Sequence, residues 1–201
     1  IREAMEHGEQ AVTLLSSVGD SYELARAYVK AAFYLVTFGL YFVPDLDERE
    51  RHRQKGQGYL QKAMEFSEEA ALLELSSTSG GSGDELGWSF EEILLNYEKA
   101  LGYAKKTKDK YLIGTALDWL AYASVWKAGG TEDPNKRVEF VQTTLQYAEE
   151  AKHQFSSISF VSPRGAALWT GTANAEYCLS LAFWETNLRK KRDLVEKAIM
   201  D

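Results

Sequence analysis

Apolar residues recur at helical spacing along almost the whole chain, and no other feature narrows the fold so far. Met5, Ala11, Val12 and Leu15 mark one stripe over residues 2–17, which Gly19-Asp20 ends. Residues 21–42 carry Leu24, Ala25, Tyr28, Ala31, Ala32, Leu35 and Phe38. That segment is too apolar for a surface helix and predicts a central, buried one. Further helices are expected over 46–75, 88–107, 109–128, 133–155, 163–187 and 190–200. The chain has only 3 prolines in 201 residues, and each falls at one of these boundaries. Pro44 follows an end, because the residue before a proline is pushed out of helix. Pro134 and Pro163 stand just inside starts, the second behind Ser162 as cap, where a missing N–H costs nothing. Strand-like alternation is almost absent, and Ile158-Ser159-Phe160-Val161 is the one plausible extended piece. The class expected is all-α.

The pattern also repeats. Residues 4–34 align with 93–123 at an offset of 89, placing Gln10-Ala11-Val12 on Lys99-Ala100-Leu101 and Asp20-Ser21-Tyr22 on Asp109-Lys110-Tyr111. Ala27 falls on Ala116 and Ala32 on Ala121. A second echo sets Met64–Ala70 on Leu145–Ala151 at an offset of 81. A third sets Trp119, Tyr122 and Trp126 on Tyr177, Ser180 and Trp184. That third offset is 58, so the spacing varies, but self-similarity along a helical chain points to stacked hairpins.

These units resemble the tetratricopeptide repeat. Phe90–Leu101 and Asp193–Ile199 are similar to its second helix, and Trp119, Tyr122, Ala123 and Trp126 to the spacing of its first. The resemblance implies a right-handed superhelix of antiparallel helical hairpins. It makes 21–42, 109–128 and 163–187 helices of the first type, and 2–17, 46–75, 88–107, 133–155 and 190–200 helices of the second. Ala63, Ala100, Ala148 and Ala198 lie 37, 48 and 50 apart, wider than the family's period. Two second-type helices, 46–75 and 88–107, then adjoin with no first-type helix between them. Ser76–Gly83, a Gly/Ser-rich linker composition, stands where one belongs. The expectation is one solenoid built as block 1–75, linker 76–87 and block 88–201, a piece of a longer array. An unpartnered helix would leave a groove for a partner or a second copy of the chain.

Charge and residue types exclude several functions. The chain has 23 basic and 30 acidic residues, a net charge of -7, which disfavours nucleic acid and anionic membrane. Glu48, Glu50 and His52 interleave with Arg49, Arg51, Arg53 and Lys55, which read as a solvated face. No apolar run approaches the ~20 residues of a membrane span. One cysteine and 3 histidines leave no Cys-based zinc site and no His-rich centre. Glu150-Ala151-Lys152-His153 has the E-x-x-H spacing of di-metal bundles, but its repeat partner puts Leu72 where the second His belongs. Cys178, flanked by Tyr177 and Leu179, reads as a buried inert thiol. Gly81, Gly83 and Gly87 precede a helix but lack the strand and lysine of a phosphate loop. No catalytic residue, metal or cofactor is expected.

The aromatics carry the functional expectation. Trp119, Trp126, Trp169 and Trp184 lie in first-type helices with Tyr34, Tyr41, Tyr122 and Tyr177. Lys30, Asp118, Lys127 and Asn174 interrupt the same apolar helices. First-type helices line the concave face of such a solenoid, where Tyr and Trp serve as anchors. The candidate groove is Lys30, Tyr34, Asp118, Trp119, Tyr122, Trp126, Asn174 and Tyr177. The function expected is a cytoplasmic scaffold or adaptor that captures a protein or peptide partner. The alternative is a sensory domain of a larger regulator that binds a small molecule or signalling peptide.

Overall fold

The computed structural model describes residues 2–77, 87–158 and 185–200, and every regular element among them is an α-helix. The helices are α1 (Arg2–Val18), α2 (Ser21–Phe42), α3 (Leu46–Phe66), α4 (Glu68–Ser77), α5 (Phe90–Thr107), α6 (Lys110–Gly129), α7 (Pro134–Ser156) and α8 (Leu188–Met200). Residues 185–187 of the expected helix over 163–187 are not helical. Its residues 163–184, with Pro163, Cys178 and the tryptophans, lie outside the described residues, as does Ser162. So do 78–86 and most of Ile158–Val161. None of the helices found among the described residues is long and apolar enough to cross a membrane.

Aspartates start four of these eight helices. Asp20, Asp45, Asp109 and Asp133 each accept first-turn N–H groups that have no partner within the helix. Behind Asp133, Pro134 takes the first helical position. α5 begins at Phe90 rather than 88, because Ser89 and Glu92 form a reciprocal box. The Ser89 N–H donates to Glu92 Oε2 at 2.8 Å, and the Glu92 N–H donates back to Ser89 Oγ at 3.3 Å. At α8, Asn187 Oδ1 accepts from the N–H groups of Arg189 and Lys190, which moves the start to Leu188.

The chain divides into two compact units, Ile1–Tyr103 and Ala104–Asp201. In the first, α1, α3 and α4 all pack on α2. The apolar surplus of α2 is thereby used, with Ala25, Val29, Ala31, Ala32 and Leu35 buried to 1% exposure or less. α2 and α3 run antiparallel at close range. Gly39 faces His52 and Gly56 faces Ala32 and Val36, while Tyr28 meets the rings of Tyr59 at 5.4 Å and Phe66 at 5.8 Å. Gly8 brings α1 against Ala31, and Glu9 on α1 accepts from Lys55 on α3.

The expected single helix over 46–75 is two helices. At Ser67 the backbone is extended (φ -161, ψ 103), and its N–H bonds back to Ala63 O at 3.0 Å. Its Oγ accepts the Ala70 N–H at 3.2 Å, so one serine closes α3 and caps α4. α4 then buries Ala70 through Ser76 without interruption. Residues 78–86 of the expected linker 76–87 lie outside the described residues, and α4 ends at Ser77. Glu68 at its start accepts from Lys99 Nζ at 2.6 Å and Tyr103 Oη at 2.8 Å, which ties α5 to it.

In the second unit α6 and α7 form an antiparallel pair. Gly114 admits the Phe155 ring near one end, and Ala128 meets Val141 and Phe140 near the other. The 89-residue repeat holds at the level of burial. Ala25, Ala27, Tyr28, Ala31, Ala32, Leu35, Val36 and Gly39 are buried, and so are Gly114, Ala116, Leu117, Leu120, Ala121, Ser124, Val125 and Ala128. The 81-residue echo does not hold, since Leu145–Ala151 lies within α7 while Met64–Ala70 crosses the break at Ser67.

Candidate functional site

The Asp20 cap fixes the phase of α2, and that phase sets Glu23, Arg26, Lys30 and Tyr34 along one side of it. On that side α1 and α2 leave a groove of about 360 Å³. Its floor is small and apolar, with Ala4, Gly8, Ala11 and Ala27. Gly8 lets α1 approach closely there, since a Cβ would lie 3.2 Å from Ala31 Cα. The rim is charged and ordered by one buried acid. Glu74 of α4, with its side chain only 8% exposed, accepts from Arg26 Nε at 2.7 Å and pairs with Lys30 Nζ at 3.3 Å. Arg26 Nη1 reaches Glu23 Oε1 at 2.9 Å. The hydrogen bond to Glu74, outweighing partial burial, holds the Arg26 guanidinium above its ordinary pKa, with Glu23 adding to it. Tyr34 completes the rim at one end and His7 faces it from α1.

The other candidates on described residues lie on α6, in the second unit. Trp119, Tyr122 and Trp126 form one stripe at i, i+3 and i+7. Their rings meet edge-on, with centroids 5.4 Å apart for Trp119–Tyr122 and 6.1 Å for Tyr122–Trp126. Trp126 is 56% exposed, while Trp119, Tyr122 and Asp118 are half-buried. Lys127 is half-buried too, with Nζ 5.5 Å over the Phe140 ring of α7. Asn174 and Tyr177 lie outside the described residues. Lys30 and Tyr34 thus share the α1–α2 groove, and Trp119, Tyr122 and Trp126 share the α6 stripe.

Sequence reasoning passed over Arg26, Glu74 and Gly8. Glu74 carried a signal, since it is the one charged residue within the run Ala70–Leu75. An acid in an apolar run is buried only with a partner, and α2 offers Arg26 and Lys30 one turn apart. His153 is exposed on α7, and no group of three metal-ligating side chains occurs among the described residues. The groove offers shape, hydrogen-bond donors and fixed charge. No family model, curated protein or solved structure matches the chain.

Proposed function

We propose that the chain is a tetratricopeptide-like scaffold that holds a peptide segment or partner domain in a groove of its helical hairpins. The observation that carries this is the α1–α2 groove, which has an apolar floor and a charged rim pinned by the buried Glu74. A rim held in place before binding loses little side-chain entropy on contact, and small floor residues leave room for the partner's side chains. The aromatic stripe of α6 adds rigid amphipathic anchors of the kind that dominate binding energy. The repeated hairpin pattern at 89 residues supports the solenoid architecture that the reading assumes.

The test is selection of a random phage-displayed peptide library on the full chain, followed by calorimetry. Selected peptides should bind the wild type and lose at least about tenfold in affinity in a Lys30→Ala, Trp119→Ala double variant, about 1.4 kcal/mol. Each single variant, checked for fold by circular dichroism, assigns the loss to the α1–α2 groove or to α6. No enrichment, or unchanged affinity in the folded double variant, contradicts the reading.

A further inference from the structure

One face of α3 carries Gln57, Leu60, Gln61 and Met64 at i, i+3, i+4 and i+7, a stripe about 10 Å long at helical rise. It opens into a cleft of about 320 Å³ that Gly87, Trp88 and Asn96 also line. Trp88 lies against the core of the first unit, so this wall is fixed. Gly87 has φ +87, and a Cβ there would fall on the Gln57 carboxamide and 2.9 Å from Arg53 Nη1. The backbone before Trp88 therefore comes close to the flexible ends of Gln57 and Arg53, and its positive φ favours glycine.

The lining chemistry is unusual for so charged a chain. Three carboxamides line the cleft, and no ionisable side chain is among its described lining residues. Gln61 Nε2 donates to Glu65 Oε1 at 3.3 Å within α3 and keeps its carbonyl. The Gln57 and Asn96 carboxamides and the Trp88 indole N–H make no hydrogen bond to another described residue.

We propose that this cleft takes an extended peptide segment of about three residues with an apolar side chain, whose main chain pairs with the carboxamides of Gln57, Gln61 and Asn96. A carboxamide offers both donor and acceptor, which matches the alternating N–H and C=O of an extended main chain. At about 3.3 Å per residue, three residues span the α3 stripe. Trp88, Met64 and Leu60 receive an apolar side chain. The inference rests on the peptide-scaffold reading but names a different surface from the α1–α2 groove.

The probe is acetyl-Ala-Leu-Ala-methylamide, titrated into the full chain and followed by two-dimensional amide NMR. The Trp88 indole N–H and the side-chain NH2 signals of Gln57, Gln61 and Asn96 should shift together. The analogue N-methylated at each internal amide should bind at least about tenfold more weakly, about 1.4 kcal/mol. A Gln57→Ala, Asn96→Ala variant with unchanged circular dichroism should lose the response, and the N-methyl comparison needs no variant. Four unmoved signals, or equal binding of the N-methylated probe, overturn the inference. Either result leaves standing a peptide that binds at Lys30 or Trp119, so failure here is distinct from failure of the scaffold reading.

Discussion

Asp20 and Asp109, 89 residues apart, cap their helices with the same bonds. Oδ1 of Asp20 accepts from the N–H groups two and three residues on at 3.0 and 3.1 Å, and Oδ1 of Asp109 does so at 2.8 and 3.3 Å. The residue before each has positive φ, +79 at Gly19 and +59 at Lys108. The internal repeat is thus a repeat of turn geometry. Each capping bond satisfies N–H groups that the helix itself cannot, so Asp20→Ala and Asp109→Ala should each cost about 1 kcal/mol. Urea denaturation checks this, and a cost near zero at either site would contradict the capping role.

The same turn predicts opposite outcomes at its two copies. Left-handed backbone costs a residue with a Cβ about 1 kcal/mol, and glycine nothing. Lys108→Gly should therefore raise stability by about that amount, and Gly19→Ala should lower it. A Cβ on Gly19 meets nothing within 4 Å, so the loss there would be conformational and not steric. Thermal melts of both variants decide it.

Glycine on α3 separates packing from propensity. A Cβ at Gly56 would sit 2.6 Å from Val36 Cγ2 and 3.1 Å from Ala32 O, whereas one at Gly58 meets nothing within 4 Å. Gly56→Ala should destabilise by about 1–3 kcal/mol through overpacking. Gly58→Ala should stabilise by up to about 1 kcal/mol through helix propensity. Equal effects would contradict the close approach of α2 and α3.

Hydrogen bonds from Lys99, first, and Tyr103 hold the Glu68 carboxyl below its ordinary pKa. A carboxyl lowered in the folded state stabilises fully above the ordinary carboxylate range. That contribution is lost as pH falls through the lowered folded value. Glu68→Gln should therefore flatten part of the acid limb of a melting-temperature profile. Lys99→Met should do the same more weakly, and an unchanged acid limb in both would contradict the link between α4 and α5.

Much of this fold is legible in the sequence, for local reasons. Residues 21–42 are bounded by the Asp20 cap and by Pro44, both written in the chain, and α2 occupies those positions. The break at Ser67 was hidden because Ser-Glu-Glu serves equally as a helix surface and as a cap with an acidic first turn. Its echo misled further, since Ala148 stands where Ser67 would fall and carries α7 straight on. The Lys30 and Tyr34 rim was reachable from helix phase. Glu74 showed as the one acid in an apolar run, but its pairing with α2 and the carboxamides of the Trp88 cleft were not reachable, because those roles arise from which helices meet. Helix phase also gave the α6 stripe, but not Lys127 over Phe140, which depends on α7 folding back.

The α1–α2 groove as a peptide site is tested most directly by hydrogen exchange on the full chain, with and without a library-selected peptide. The account predicts slowed exchange within Arg2–Val18 and Ser21–Phe42, lost when Lys30→Ala and Tyr34→Ala are combined. Unchanged exchange in α1 and α2 at saturating peptide would contradict it.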